Sequence, residues 1–369
     1  GVTDFSRYDI SSFDGFLRKL IKDKTICKDN MVIIDEAHNI RNLKGPGKNV
    51  STGKRDEPVR YTAAMNCMNS ASKRLILTAT PFINSIDDFI PIINFIHGKR
   101  VFDSYDNKLK GGFGDKVKII SDHLKNRVNY LPASELKGFP KVNEKYVNIF
   151  MTKEFEKKFI AAVSSSNYNE FGDPYKFYNG YRRAVNTAGG EESQKMGEVK
   201  KILKTGKTIL YTSWLEYGTE LLEDVLPKNV KFEIFSGSVS QKEKKRIVED
   251  YNNDKVDILI ITKSGAEGLD LKRTKNIIIF DPPWNESGLL QVMGRGIRNN
   301  SHIDLPEKDR VVNVYKLMLI EHKFKGKKID LSDENFTSMS GDVTLYKIIH
   351  RKMEQNKEII KELMKISFK

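Results

Sequence analysis

Short runs of β-branched and aliphatic residues recur along the chain between helical or loop stretches, and this alternation restricts the fold more than any other feature. Met31–Ile34 and Arg74–Leu77 read as buried strands. A second series follows at Thr208–Tyr211, Lys231–Phe235, Asp257–Ile261, Asn276–Phe280 and Val311–Lys316. Runs that stay apolar, rather than alternating with polar residues, are what a parallel sheet covered on both faces demands. Helical patterns lie between them, notably Gln241–Tyr251 and Glu286–Ile297. The spacing predicts two α/β sheets separated by a long middle stretch. That middle, residues 97 to 205, has another texture: Gly111-Gly112-Phe113-Gly114, serines at 164–166 and Gly189-Gly190 interleave with basic and aromatic residues. It reads as an insertion and inter-domain connector with some helices of its own. Apolar residues near helical spacing from Leu345 to Met364 predict one or two packing helices at the C-terminal end.

With 369 residues, 39% of them hydrophobic, the chain can bury real cores, and at ~150 residues per domain it suggests about two domains. Wholesale disorder is excluded by the same composition. The net charge of +14 points to a polyanionic partner, although a merely Lys-rich soluble protein would show the same balance. Cys27 and Cys67 are the only cysteines, two isolated thiols without metal-ligand spacing. They argue against a zinc site and a disulfide framework, and make a reducing, intracellular compartment the expectation. The longest apolar run, Phe89 to Ile96, is broken by Pro91 and Asn94 and is too short for a bilayer. No secretory signal opens the chain. It begins with Gly1 rather than Met, which suggests a piece of something longer.

The strongest local signal is Val32-Ile33-Ile34-Asp35-Glu36-Ala37-His38-Asn39. Two adjacent carboxylates stand where an apolar strand ends, the usual place for ligand sites in open α/β sheets. There Asp35 can hold Mg²⁺ bridging the β- and γ-phosphates of a nucleotide. Glu36 can orient and deprotonate the attacking water. A bare Asp-Glu pair would more simply be an exposed acidic turn; the full D-E-A-H after an apolar run is far more specific. Next, Leu75-Ile76-Leu77 ends in Thr78-Ala79-Thr80-Pro81. A second strand here places the Thr78 and Thr80 hydroxyls beside the first strand's carboxylates, within reach of His38 or Glu36.

Two stretches imitate a phosphate-binding loop. Thr205-Gly206-Lys207-Thr208 contains G-K-T, but Lys201 stands where the first glycine belongs, and the stretch precedes a strand instead of following one. Ser51-Thr52-Gly53-Lys54 has the wrong order and lies after the D-E-A-H. Neither is a phosphate cradle, and there is no other candidate.

D-E-A-H followed by T-A-T-P resembles motifs II and III of superfamily 2 ATPases, and the continuation Pro81-Phe82-Ile83-Asn84 through Phe95-Ile96 looks like the Swi/Snf-type branch. The second sheet supplies matching parts. Ile209–Trp214 resembles motif IV, Phe235-Ser236-Gly237 the short segment after it, and Thr262–Leu271 motif V. Gln291-Val292-Met293-Gly294-Arg295-Gly296-Ile297-Arg298 looks like motif VI, Q-x-x-G-R-x-x-R. Arg295 and Arg298, three apart, would share one helix face, and planar guanidinium groups suit a triphosphate whose charge shifts in the transition state. Arg298–His302, Leu305–Arg310, Trp284-Asn285-Glu286 and Leu124–Tyr130 with Phe139-Pro140 resemble poxvirus-type nucleoside triphosphatase I and the small subunit of the early transcription factor. The likeness runs over roughly residues 30 to 320.

The resemblance implies two RecA-like parallel-sheet domains, the first N-terminally truncated, with a helical insertion and a C-terminal helical tail. On that reading residues 1–100 complete the first domain, 101–200 are insertion and connector, 201–330 the second domain and 331–369 C-terminal helices. It implies ATP and Mg²⁺ as ligands, with Asp35, Glu36, His38, Arg295 and Arg298 catalytic. Thr78, Thr80, Gly268, Asp270 and Gln291 would bind nucleotide, and Lys263 and Ser264 would meet nucleic acid, DNA before RNA, with Arg182 and Arg183 adding affinity. Trp214 reads as a packing residue with stacking as the alternative. The implied activity is a double-stranded DNA translocase in early viral transcription, with RNA polymerase or capping factors as partners and virion and host cytoplasm as location. The alternatives are a strand-separating DNA or RNA helicase and, from another class, a catalytically dead module tethering transcription factors. Without a phosphate loop, the chain by itself is expected to bind and hydrolyse ATP poorly.

Overall fold

The computed structural model describes residues 7–43, 59–78, 85–102, 109–131, 137–165, 174–227, 230–263 and 269–368. The chain divides into two compact units, one formed by residues 1–130 with 357–369 and the other by residues 131–356. Ten strands occur among the described residues: β1 (Met31–Ile34), β2 (Lys73–Ile76), β3 (Lys141–Phe150), β4 (Thr187–Ala188), β5 (Glu191–Glu192), β6 (Thr208–Thr212), β7 (Phe232–Phe235), β8 (Ile258–Thr262), β9 (Asn276–Ile279) and β10 (Val311–Ile320). β4 and β5 make a small antiparallel hairpin.

The second unit is built on a six-stranded sheet in the order β3-β10-β9-β6-β8-β7, parallel throughout. Every residue of β6, β8 and β9 is buried, as expected of central strands covered on both faces. Successive side chains enter opposite layers. Ile277 and Ile279 join Ile209, Tyr211, Leu259 and Ile261 in one core, while Ile278 and Phe280 join Leu210, Ile258 and Ile260 in the other. The covering helices start where local chemistry allows. Ser240 caps Gln241–Asn252 by accepting from Glu243 N at 3.3 Å, and Asn285 caps Glu286–Gly296 by accepting from Gly288 N at 2.9 Å.

β3 lies within the stretch read from sequence as insertion and connector. It pairs with β10 over ten residues, from Lys141 opposite Val311 to Phe150 opposite Ile320. Its position at the sheet edge explains the misreading: Lys141, Glu144 and Lys145 break the apolar run, and charge on an edge strand is the usual guard against stray pairing. The C-terminal pattern forms a single helix, Gly341–Ile366, whose residues to Asn356 belong to the second unit and the rest to the first.

The first unit contains the two-stranded parallel sheet β1-β2, with Met31 opposite Lys73 and Ile34 opposite Ile76. Val32 and Ile34 face a core made with Leu17, Leu20, Ala37, Tyr61, Met65 and Met68. Among the described residues the other face is left about half exposed. Met31 and Ile33 are 52% and 50% exposed, and Leu75 and Leu77 are 39% and 42% exposed. Two strands with one covered face are a marginal structure in water.

That same core corrects the reading of two isolated thiols. Cys27 and Cys67 are disulfide-bonded, with Cα atoms 5.1 Å apart and both residues buried. Forty residues separate them in sequence, but the helix Val59–Ser70 packs against Phe13–Lys22 and brings Cys67 back onto the segment ahead of β1. No helix among the described residues is long and apolar enough to cross a membrane. Closing a loop of this length should stabilise the first unit by about 2–4 kcal/mol where the surroundings oxidise. Denaturant melts of the purified chain with and without dithiothreitol should therefore differ, and the Cys27→Ala/Cys67→Ala double variant should remove the difference.

Candidate active site

In the first unit, β1 delivers Asp35 and Glu36 at its C-terminal end. The ladder between the strands continues past them: Leu77 N donates to Ile34 O at 2.8 Å and Ala37 N donates to Leu77 O at 2.9 Å. The chain must turn between those two bonds, and it does so at Glu36, whose φ of 50° lies in the left-handed region that a side chain rarely adopts. Asp35 Oδ1 accepts from Glu36 N at 2.8 Å and holds the turn. Both acidic residues remain exposed. His38 is buried, with Nδ1 3.2 Å from Glu36 Oε2 and 3.4 Å from Thr78 Oγ1. One imidazole thus links the carboxylate after β1 to the hydroxyl after β2. Thr80, the other hydroxyl expected here, lies outside the described residues.

Asp35 fits the Mg²⁺ assignment in chemistry. Mg²⁺ takes one or two carboxylates and completes its shell with water and substrate phosphates, and Asp35 presents an exposed carboxylate hydrogen-bonded to its own turn. Among the described residues no group of three or more His, Cys, Asp or Glu could hold a metal ion by itself.

In the second unit the motif V and VI residues meet. Leu269 and Asp270 follow β8, and Leu271 N donates to Arg295 O at 3.2 Å. Arg298 Nη1 donates to Leu269 O at 2.8 Å, and its Nε stands 4.0 Å from Asp270 Oδ1. Both side chains of this pair are substantially exposed, so their attraction is screened by solvent and weak. Gln291 and Lys263 are exposed, Lys263 directly after β8, and Arg295 is half-buried. Gly268 and Ser264 lie outside the described residues.

Arg295 and Arg298 do not share a helix face as the three-residue spacing suggested. The helix ends at Gly296, with Ile297 as its C-cap in a non-helical conformation. Gly296 is packed so closely that a Cβ there would sit 2.9 Å from Ile209 Cδ1 and 3.1 Å from Thr274. Arg298 therefore belongs to the following turn, which is fixed by its own bonds. Ser301 Oγ donates to Arg298 O at 2.8 Å, and the buried His302 donates through Nε2 to Thr274 O at 2.8 Å. Burial holds the His302 imidazole below its ordinary pKa.

The two arginines of the middle stretch separate in role. Arg183 is exposed, but Arg182 is buried and spends its hydrogen bonds on Ser213 and Pro282. Arg182 cannot offer its charge to a polyanion. Of its partners, Trp284 stands out in the sequence only through the family resemblance and Asp281 not at all, although Asp281-Pro282-Pro283-Trp284, set between a strand and a capped helix, is a visible signal.

Comparison with known proteins agrees with this layout. The chain matches the SNF2-related domain over residues 10–176 and the helicase conserved C-terminal domain over residues 194–300. It is similar to a protein of Acanthamoeba polyphaga mimivirus named as an ATP-dependent RNA helicase, at 29% identity over 95% of this chain and 80% of the relative. It is 24% identical to nucleoside triphosphatase I of Melanoplus sanguinipes entomopoxvirus, over 88% of this chain and 62% of that protein. A shorter match, 29% identical over 32% of this chain and 18% of the relative, is to the termination factor NPH-I homolog of African swine fever virus. With an SNF2-related domain and a helicase conserved C-terminal domain matched in order along it, the chain is a two-domain protein of the SNF2/helicase type, similar to viral helicases and to a poxvirus nucleoside triphosphatase.

Proposed function

We propose that the intact protein is a nucleic-acid-dependent ATPase that moves along double-stranded DNA and serves viral transcription at initiation or termination. The observation that carries the hydrolytic part is the cluster after β1 and β2, where an exposed Asp-Glu pair is tied through one buried histidine to a threonine hydroxyl. In this reading Asp35 holds the Mg²⁺, which would neutralise charge on the β- and γ-phosphates when bound. Glu36 orients the attacking water and takes its proton, while His38 holds the Glu36 carboxylate against Thr78. Arg295 and Arg298 stabilise the charge of the transferring phosphoryl group. To take that role Arg298 would have to give up Leu269 O and its weak pairing with Asp270.

The half-exposed face of β1 and β2 supports a second element of the proposal. A parallel sheet is stable when covered on both sides, and Met31, Ile33, Leu75 and Leu77 leave one side apolar and open. A phosphate-loop-bearing α/β segment of the longer protein suits that face, and it would provide the phosphate cradle that neither G-K-T nor T-G-K supplies. The chain alone is then inactive.

Support for a nucleic acid partner comes from the net charge of +14, the exposed Lys263 after β8 and Arg183, and the name of the African swine fever virus relative. Lys263 and Ser264 would meet phosphates without reading bases. The mimivirus relative's name favours a second reading, an RNA helicase. ATPase assays of the intact protein separate the two: duplex DNA should stimulate turnover, and stimulation by RNA alone would sink the translocase reading. In the same protein Glu36→Gln should leave ATP affinity within about twofold while phosphate release falls by about 10²-fold or more. Equilibrium nucleotide binding and single-turnover hydrolysis read the two quantities, and unchanged turnover would refute the role of Glu36.

A further inference from the structure

The chain's two tryptophans, Trp214 and Trp284, both lie on one arginine. Arg182, in the last turn of the helix Pro174–Ala184, has a side chain only 3% exposed. Its guanidinium carbon is 5.0 Å from the Trp214 ring centre and 4.5 Å from that of Trp284. Nη2 donates to Ser213 Oγ at 2.9 Å and to Pro282 O at 3.0 Å, and stands 3.7 Å from Asp281 Oδ2. Asp281, itself buried, accepts from Thr212 Oγ1 at 2.6 Å and from Ser213 N at 3.0 Å.

A buried cation is costly unless it is paired and hydrogen-bonded. Burial lowers the Arg182 pKa and the Asp281 carboxylate opposes that shift. One nitrogen, Nη2, serves acceptors in both loops, and the flat, delocalised guanidinium lies against two ring faces at once, a packing that the compact, strongly hydrated ammonium of lysine does not reproduce. Arg182 Nε and Trp214 Nε1 are buried without a hydrogen-bond partner among the described residues. The arrangement gives up two donors and keeps the stack.

The loops it joins differ in what they carry. Residues 212–214 complete and follow β6. Residues 281–284 follow β9 and run directly into Asn285, the cap of the helix bearing Gln291 and Arg295. The stack also reaches the surface, because the exposed Arg183 lies 5.0 Å from the Trp214 ring centre and 5.1 Å from that of Tyr217. We propose that Arg182 is a positioning residue that locks the loop after β6 to the loop after β9, so that the arginine-bearing helix moves with the surface formed by Trp214, Tyr217 and Arg183. The lock stands on this geometry alone; its consequence, coupling of a bound polyanion to ATP turnover, rests on the function proposed above.

Two measurements test these halves separately. In the 369-residue chain, Trp214→Phe and Trp284→Phe each leave a single tryptophan as a local reporter. Adding Arg182→Lys should raise acrylamide quenching of either remaining tryptophan by about twofold, with the melting temperature held within about 3 °C. Quenching unchanged at either tryptophan would overturn the lock. In the intact protein, Arg182→Lys should lower kcat at saturating duplex DNA by about tenfold, with KM for ATP and the unstimulated rate within about twofold of wild type. A stimulated kcat equal to wild type would overturn the coupling. A wild type that no nucleic acid stimulates would instead refute the functional reading and leave the quenching result to decide the lock.

Discussion

Parallel strands need cover on both faces, and the organisation of this chain follows from how far each sheet meets that need. In the second unit the need is met: β6, β8 and β9 are buried from end to end, and Ile277 and Ile278 enter different cores one residue apart. That rigidity fixes the strand ends, and the strand ends carry the polar residues. In the first unit, β1 and β2 have one packed face and one open face. Their ends still form an ordered cluster, because the backbone bonds between Ile34, Ala37 and Leu77 extend the ladder past the last strand residue.

The two units therefore divide the residues of the proposed site. The first holds the carboxylates, with a histidine that ties Glu36 to the neighbouring strand's threonine. The second holds the arginines, and holds them unequally. Arg295 is on the helix, whereas Arg298 is in a turn braced by Ser301 and His302. An arginine bonded to a backbone carbonyl and weakly paired on the surface can change partners at little cost, which is the property a charge-stabilising group needs when substrate arrives.

Much of this was legible in the sequence. β1 runs over the four residues that its apolar pattern marks, and the strands β6 to β9 fall within a residue or so of their apolar runs. The illegible parts have physical causes. β3 was hidden because an edge strand carries Lys and Glu where a central one carries Ile. The Cys27–Cys67 bond was hidden because it depends on two helices packing, not on spacing. Arg298 was placed on a helix because spacing records periodicity but not the close approach of Gly296 to Ile209 that ends it. Arg182 looked like a surface cation because charge in sequence does not reveal burial; only the rings at Trp214 and Trp284 and the carboxylate at Asp281 explain how it is kept inside.

On the proposed function, this chain holds the hydrolytic carboxylates and the arginines but needs an α/β segment with a phosphate loop to cover β1 and β2 before it can work. The most direct test compares ATP turnover of the 369-residue chain alone with that of the same chain fused behind the phosphate-loop-bearing segment of a viral relative. The fusion should exceed the chain alone by about a hundredfold or more, with Leu75 and Ile33 becoming protected in hydrogen exchange. Equal turnover from the chain alone, abolished by Glu36→Gln, would contradict the proposal.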